Sequence, residues 1–218
     1  MTQIKLALAT VRNTLKESVE LVAVSKTKPV ELLHEAYEAG QRDFGENKVQ
    51  EMAAKSEVMP SDVRWHMIGH VQTNKIKYMA PFVHMVHGVD REKVLKELDK
   101  QANKVDRVIH CLLQVHIAQE ETKFGWSVSE LQSVLPRLSA YPNVSVCGLM
   151  GMASNTEDQN QIRSEFMGLK ALYESHAITQ GWDTLSIGMS GDYTIAMECG
   201  ATHVRIGSAI FGARNYTP

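Results

Sequence analysis

SIGMSGDYTIAMECGATHVRIGSAIFG, residues 186–212, passes twice from an apolar run into a glycine- and serine-bearing turn. Leu185 to Ile187 reads as a strand, Asp192 to Cys199 as a short helix that Asp192 would cap and Gly200 would close, and His203 to Ile206 as the next strand. A strand, a helix and a second strand joined this tightly form a βαβ unit, whose two strands lie parallel.

Working back towards the N-terminus, the same unit recurs. Leu21 to Val24 is a strand, followed by a helix that Pro29 opens and Gly40 ends. Asp43 to Gly45 is the second strand, with Asn47 and Gln50 as a capping box for the next helix. Trp65 to Ile68 is the third. Val83 to Val86 is the fourth, with Asp90 as the next cap, and Val108 to Ile117 is the fifth. Ser127 with Glu130 opens a helix that runs to Tyr141-Pro142, Val144 to Leu149 is the sixth strand, and Thr156 with Gln159 caps a long helix up to Gly181. Ahead of all this, Ile4, Leu8, Val11 and Leu15 recur at helical spacing, which predicts an extra amphipathic helix at the N-terminus. Eight βα units across residues 1–218 predict a single-domain TIM (β/α)8-type barrel, although a doubly wound sheet would produce similar local patterns from fewer strands.

Composition narrows the partners. The chain has 218 residues, is 44% hydrophobic and carries a formal net charge of -2, so it can bury a large core and offers no basic field for nucleic acid or an anionic membrane. Three cysteines in no C-x-x-C spacing suggest neither disulfides nor a zinc clip, and with no leader-like or spanning run the expectation is a soluble cytoplasmic protein. No coiled-coil stripe or apolar face argues for a dimer, so a monomer is expected.

In a parallel barrel, chemistry gathers where strands end. Alternation from Val22 and Val24 puts Lys26 on their face, and an amine among apolar neighbours loses basicity and becomes a nucleophile for carbonyls. Taken alone, S-K-T-K-P is also satisfied by lysines that snorkel at a strand end. Ser190-Gly191 and Gly207-Ser208 stand after strands seven and eight, where glycine N–H groups, hydroxyls and a helix start can cradle an anion, although both are ordinary turn residues too. Arg205 adds a fixed cation. An imine-forming lysine, a phosphate cradle and an arginine at one mouth describe a site for pyridoxal 5′-phosphate.

The motifs VAVSKTKP (22–29), FGENKVQE (44–51), WHMIGHVQTNK (65–75), GLMGMA (148–153), GMSGDY (188–193) and VRIGSAIFG (204–212) resemble those of the pyridoxal phosphate homeostasis protein family. Its members are single-domain relatives of the alanine racemase N-terminal barrel, a fold type III cofactor protein. The resemblance covers nearly the whole chain. It implies that Lys26 bonds the cofactor, that Ser190, Gly191, Gly207 and Ser208 hold its phosphate, that Arg205 faces the pyridine nitrogen, and that Asn47, His70 and Met189 line the ring. Val71 stands where leucine is more usual. Lys28 and Lys123 match further family lysines at the rim, with solvated surface the simpler reading of Lys123.

Other candidates have plainer readings. His66 and His70 straddle a strand end and suit zinc poorly, so no metal site is expected. His84, His87, His110 and His116 read as strand histidines with local hydrogen bonds, and Cys111 and Cys147 as core. The methionines read as packing, apart from Met150 and Met152 in a loop near the site. For function, the resemblance favours a carrier that holds pyridoxal phosphate and supplies it to apo-enzymes, affecting amino-acid and keto-acid balance indirectly and with no catalytic residues of its own. The alternative is an amino-acid racemase or decarboxylase. The related racemase takes an opposing tyrosine from a C-terminal β-domain, for which Tyr193 and Tyr216 are local substitutes; no such domain is expected here.

Overall fold

A computed structural model describes residues 2–120 and 123–212. Eight parallel strands close into a barrel in sequence order: β1 (Glu20–Val24), β2 (Asp43–Glu46), β3 (Arg64–Met67), β4 (Met85–Val89), β5 (Ile109–Gln114), β6 (Val144–Met150), β7 (Thr184–Met189) and β8 (His203–Ile206). Pairing of Glu20 with His203 through Ala23 with Ile206 closes the barrel, so the doubly wound alternative is set aside. The helices are α1 (Gln3–Thr14), α2 (Val30–Glu38), α3 (Val49–Ser56), α4 (Ile76–Met79), α5 (Glu92–Lys104), α6 (Val128–Val134), α7 (Gln159–Gln180), α8 (Tyr193–Glu198) and α9 (Ser208–Phe211). None of them is long and apolar enough to cross a membrane.

The main core lies between barrel and helices. Phe44, Phe166, Leu33 and Met52 are fully buried there, and Ile4, Leu8 and Val11 seat α1 on it. Inside the barrel the apolar filling is small, with Met85, Leu112 and Met150 as a separate cluster. Val22 and Ile68 add to that filling near Gly45, and beside them the interior carries a set of buried polar side chains, among them His66, His87, Ser186 and Arg205.

Boundaries and caps differ from expectation in instructive places. The fourth strand starts at Met85, because the Val83 N–H still bonds the Met79 carbonyl at the end of α4. The fifth stops at Gln114, and the chain beyond it turns out, returning to pair Val115 with Trp126. Lys48, not Asn47, stands before α3 and gives no side-chain cap; Asn47 instead lines a cavity at the strand ends. Asp90 is occupied with His70 and Arg91, so Arg91 precedes α5. Asp158 caps α7 through the N–H groups of Asn160 and Gln161, while Thr156 accepts from the Asp158 N–H. Ser127 and Glu130 do form the full capping box.

Candidate functional site: a cationic cavity at the strand ends

A cavity of about 460 Å³ opens at the C-terminal ends of the strands. Lys26, Asn47, His70, Met189, Ser190, Gly191, Arg205, Gly207 and Ser208 all line it, together with Lys28 and Met152. That volume lies within the usual range for small-molecule sites. Lys26, Lys28 and Arg205 bring three cations to its wall, and no described aspartate or glutamate lines it. Such a surface favours an anionic ligand.

Lys26 is set by its neighbours. Ser25, pointing to the opposite face, donates its hydroxyl to Glu46 Oε1 at 2.7 Å. Lys55 Nζ, buried on α3, donates to the Ser25 carbonyl at 2.8 Å and to Glu46 Oε1 and Glu51 Oε1 at 2.7 Å each. Glu51 Oε1 in turn accepts the Thr27 N–H at 2.6 Å, and Thr27 holds a φ of 62°, unusual for a β-branched residue. Both backbone neighbours of Lys26 are thus tied to one buried ion cluster. Burial holds the Glu46 carboxyl above the usual carboxylate range, even with Lys55 beside it.

On the far wall, Gly188 has a φ of 92°, and an added Cβ would lie 2.6 Å from the Ala196 Cβ. Only glycine lets α8 pack this closely as Met189 to Gly191 turn towards the cavity. Asp192 accepts the Met189 N–H at 2.6 Å and does not cap α8, contrary to expectation. Ser190 Oγ accepts the Gly207 N–H at 3.2 Å and joins the two turns. A Cβ at Gly191 would meet nothing within 4 Å, so glycine there leaves bare backbone and open room. At Gly207 a Cβ would sit 3.0 Å from the Val24 carbonyl oxygen.

Arg205 is 3% exposed and rigidly held: Nη1 donates to the Ser186 carbonyl at 2.8 Å and hydroxyl at 2.6 Å, and Nη2 donates to the Gly151 carbonyl at 3.0 Å. Burial lowers its pKa to about 10, so it remains a cation at neutral pH. His70 Nδ1 lies 2.7 Å from Asp90 Oδ2, and its ring stacks on Phe124 at 3.9 Å between centroids. Phe124 and Gln114 line the cavity and were not expected. Reading the fifth strand through to Ile117 concealed the loop that delivers Phe124, whose carbonyl accepts from the Gln114 amide at 2.8 Å.

Some expected readings change. Lys123 is not a solvated surface lysine: Nζ donates to the Ala153 carbonyl at 2.6 Å and pairs with Glu120 at 3.1 Å. Cys147 is only half-buried and lies 3.3 Å from His110 Nδ1. Tyr193 starts α8, with its hydroxyl 3.1 Å from Thr14 and away from the cavity, and Tyr216 lies outside the described residues.

The model of the alanine racemase N-terminal domain family matches residues 2–215. A pyridoxal phosphate homeostasis protein of Vibrio alginolyticus is 43% identical over 207 residues, covering 92% of this chain and 89% of that protein. The structure of PipY from Synechococcus elongatus PCC7942 with pyridoxal phosphate bound superposes with a TM-score of 0.88 at 34% identity, covering 96% of this chain and 100% of PipY. Alanine racemase from Bartonella henselae shares the fold, with a TM-score of 0.78 at 16% identity over 99% of this chain and 64% of the racemase. By its barrel and the relatives it matches, this chain belongs to the pyridoxal phosphate homeostasis protein family, built on the alanine racemase N-terminal domain.

Proposed function

We propose that residues 1–218 form one binding barrel that holds pyridoxal 5′-phosphate, buffers it in the cytoplasm and supplies it to apo-enzymes, without robust catalysis of its own. The observation that carries this is the cavity wall, with three cations, two serines and, among the described residues, no carboxylate around a volume of about 460 Å³. The relatives' name and the pyridoxal phosphate bound in PipY support the same reading.

The residues fit the group. Lys26 would hold the aldehyde carbon through its amine; Ser190, Gly191, Gly207 and Ser208 would hold the phosphate; and Asn47, His70 and Met189 would flank the ring. When bound, pyridoxal phosphate supplies an electrophilic aldehyde and an electron-accepting ring. Arg205 limits the second of these. A guanidinium has no acceptor, and as a cation it disfavours a proton on a ring nitrogen beside it. No tyrosine lines the described cavity to serve as an acid or base opposite Lys26. The protein acts as a monomer, and its free cysteines suit a reducing compartment.

Borohydride reduction of the loaded protein followed by peptide mapping should place the adduct on Lys26, and Lys26→Ala should lose the yellow chromophore. The pure protein should transfer cofactor to an apo-enzyme and show no appreciable turnover with common amino acids. An adduct on Lys28 or Lys48 would reassign the lysine. Robust racemase or decarboxylase turnover, lost in Lys26→Ala, would establish the enzyme instead, and light scattering that reports a dimer would overturn the monomer.

A further inference from the structure

Beneath the cavity, a row of buried polar side chains crosses the barrel interior from β8 to β2. Arg205 Nη1 lies 2.6 Å from Ser186 Oγ, Ser186 Oγ 3.0 Å from His87 Nδ1, His87 Nε2 2.9 Å from His66 Nδ1, and His66 Nε2 3.0 Å from Asp43 Oδ1. Asp43 also pairs with Arg64 at the opposite mouth of the barrel. Ser186, His66 and His87 are essentially inaccessible, at 0%, 1% and 0% exposure.

The two ends fix the direction of every bond. A guanidinium only donates, so Ser186 Oγ accepts from Arg205, and among the described contacts the one acceptor for its own hydroxyl proton is His87 Nδ1. A buried hydroxyl proton without an acceptor is costly. His87 then carries its proton on Nε2 and donates to His66 Nδ1, while His66 carries its proton on Nε2 and donates to Asp43, which as a carboxylate only accepts. A doubly protonated His66 would donate to His87 Nε2, turn His87 around and leave the Ser186 proton stranded. All four bonds therefore run one way, from cation to anion.

We infer that Ser186, His87, His66 and Asp43 are positioning residues for Arg205: two imidazoles, both in the Nε2–H form, link the buried guanidinium to a carboxylate at the other end of the barrel and hold it in place as a cation. Each donor polarises the next, which strengthens the row as a whole. The other charged or titratable groups against it are His84 beside His66, His203 beside His87, Arg64 on Asp43, and Asp192 on the Arg205 side. The row itself does not depend on the proposed function; its consequence for a bound cofactor does.

Long-range ¹H–¹⁵N correlation of the histidine rings in the cofactor-free protein tests the row directly. At pH 8 His66 and His87 should each appear as the single Nε2–H tautomer. An Nδ1–H tautomer at either ring, or titration of His87 between pH 6 and 8, would overturn the inference, and this needs no variant. Ser186→Ala should then release His87 from its single tautomer, speed cofactor dissociation roughly ten- to hundredfold and shift the pH profile of the bound chromophore, with Ser186→Thr restoring all three. Correct tautomers combined with unchanged dissociation and pH profile in Ser186→Ala would refute the positioning role. A protein that takes up no pyridoxal phosphate would refute the proposed function instead, while the ring tautomers would still decide the row.

Discussion

The two ends of this barrel treat charge in opposite ways. At the C-terminal ends of the strands, Lys26, Lys28 and Arg205 face a cavity with no carboxylate in its wall among the described residues. Towards the N-terminal ends, Arg64 is matched to Asp43, and His66, His84, His87 and His203 crowd together where branched apolar side chains usually fill such barrels. A cationic wall marks where a ligand brings negative charge, and the Arg64–Asp43 pair holds the fold.

Behind β1 lies a third arrangement, which gives the largest expected effect. Lys55, Glu46 and Glu51 form a buried cluster with Lys55 side-chain exposure of 7% and Glu46 of 0%. Lys55→Met strands two carboxylates and should destabilise the protein by about 3 to 5 kcal/mol in urea unfolding, while adding Glu46→Gln should recover part of that loss. Breaking the exposed pair of Arg42 and Asp62, by contrast, should change stability far less, because water screens it. Similar losses at both pairs would mean that the Lys55 cluster is open to water.

At the cavity the prediction inverts, because binding should fail while stability holds. Gly191→Asp places a carboxylate into open room beside Ser190, so pyridoxal phosphate affinity should fall by roughly a hundredfold or more, about 2.7 kcal/mol, with the melting temperature of the cofactor-free protein nearly unchanged. Gly207 is a poorer probe, since any side chain there presses on Val24 and confounds binding with packing. Equal affinity for pyridoxal with and without its phosphate would show that the cradle is misplaced.

The same contrast explains what could be read from residue order. The strand ends were legible because a parallel barrel turns sequence position directly into spatial position, which is how Lys26, Arg205 and the two Gly-Ser turns could be expected at one mouth, where the family resemblance also put Asn47 and His70. The row through Ser186, His87, His66 and Asp43 was not legible. Its members lie on four different strands, and neither periodicity nor spacing says which interior side chains meet across a closed sheet. The caps at Asn47, Asp90 and Asp192 failed for a related reason: each of these polar residues serves the cavity or a neighbouring loop in place of its own helix.

Acid should find the N-terminal end first. Burial lowers the pKa of His84 and of His203 to about 4, and that of His87 well below its usual value. The unfolded chain therefore binds more protons than the folded one between about pH 6.5 and pH 4, so stability is fully present above pH 6.5 and declines as pH falls through that window. Below about pH 4, protonation of Asp43 adds a loss of the same sign, because the His66 and Arg64 contacts hold its carboxyl low. Glu46 and Asp192, raised by burial, act in the opposite sense. The urea midpoint should fall from pH 7 to pH 5, and less steeply in His84→Asn; identical slopes would remove His84 from the account.

The smallest effect belongs to neither end. Ser127 and Glu130 cap α6 reciprocally: Ser127 Oγ accepts the Glu130 N–H at 3.3 Å, and the Glu130 carboxylate accepts the Ser127 N–H at 2.9 Å. The cap is exposed and touches no cavity residue, so Ser127→Ala should cost about 1 kcal/mol in unfolding. It comes directly after Trp126, however, whose indole N–H donates to the Val89 carbonyl at 2.7 Å and anchors the loop that carries Phe124. If that anchor suffices, Ser127→Ala should leave cofactor dissociation unchanged while lowering stability. Faster dissociation would show that the order of the Phe124 wall reaches back to the helix cap, and that fold and cavity are less separable than the contrast between the barrel's two ends implies.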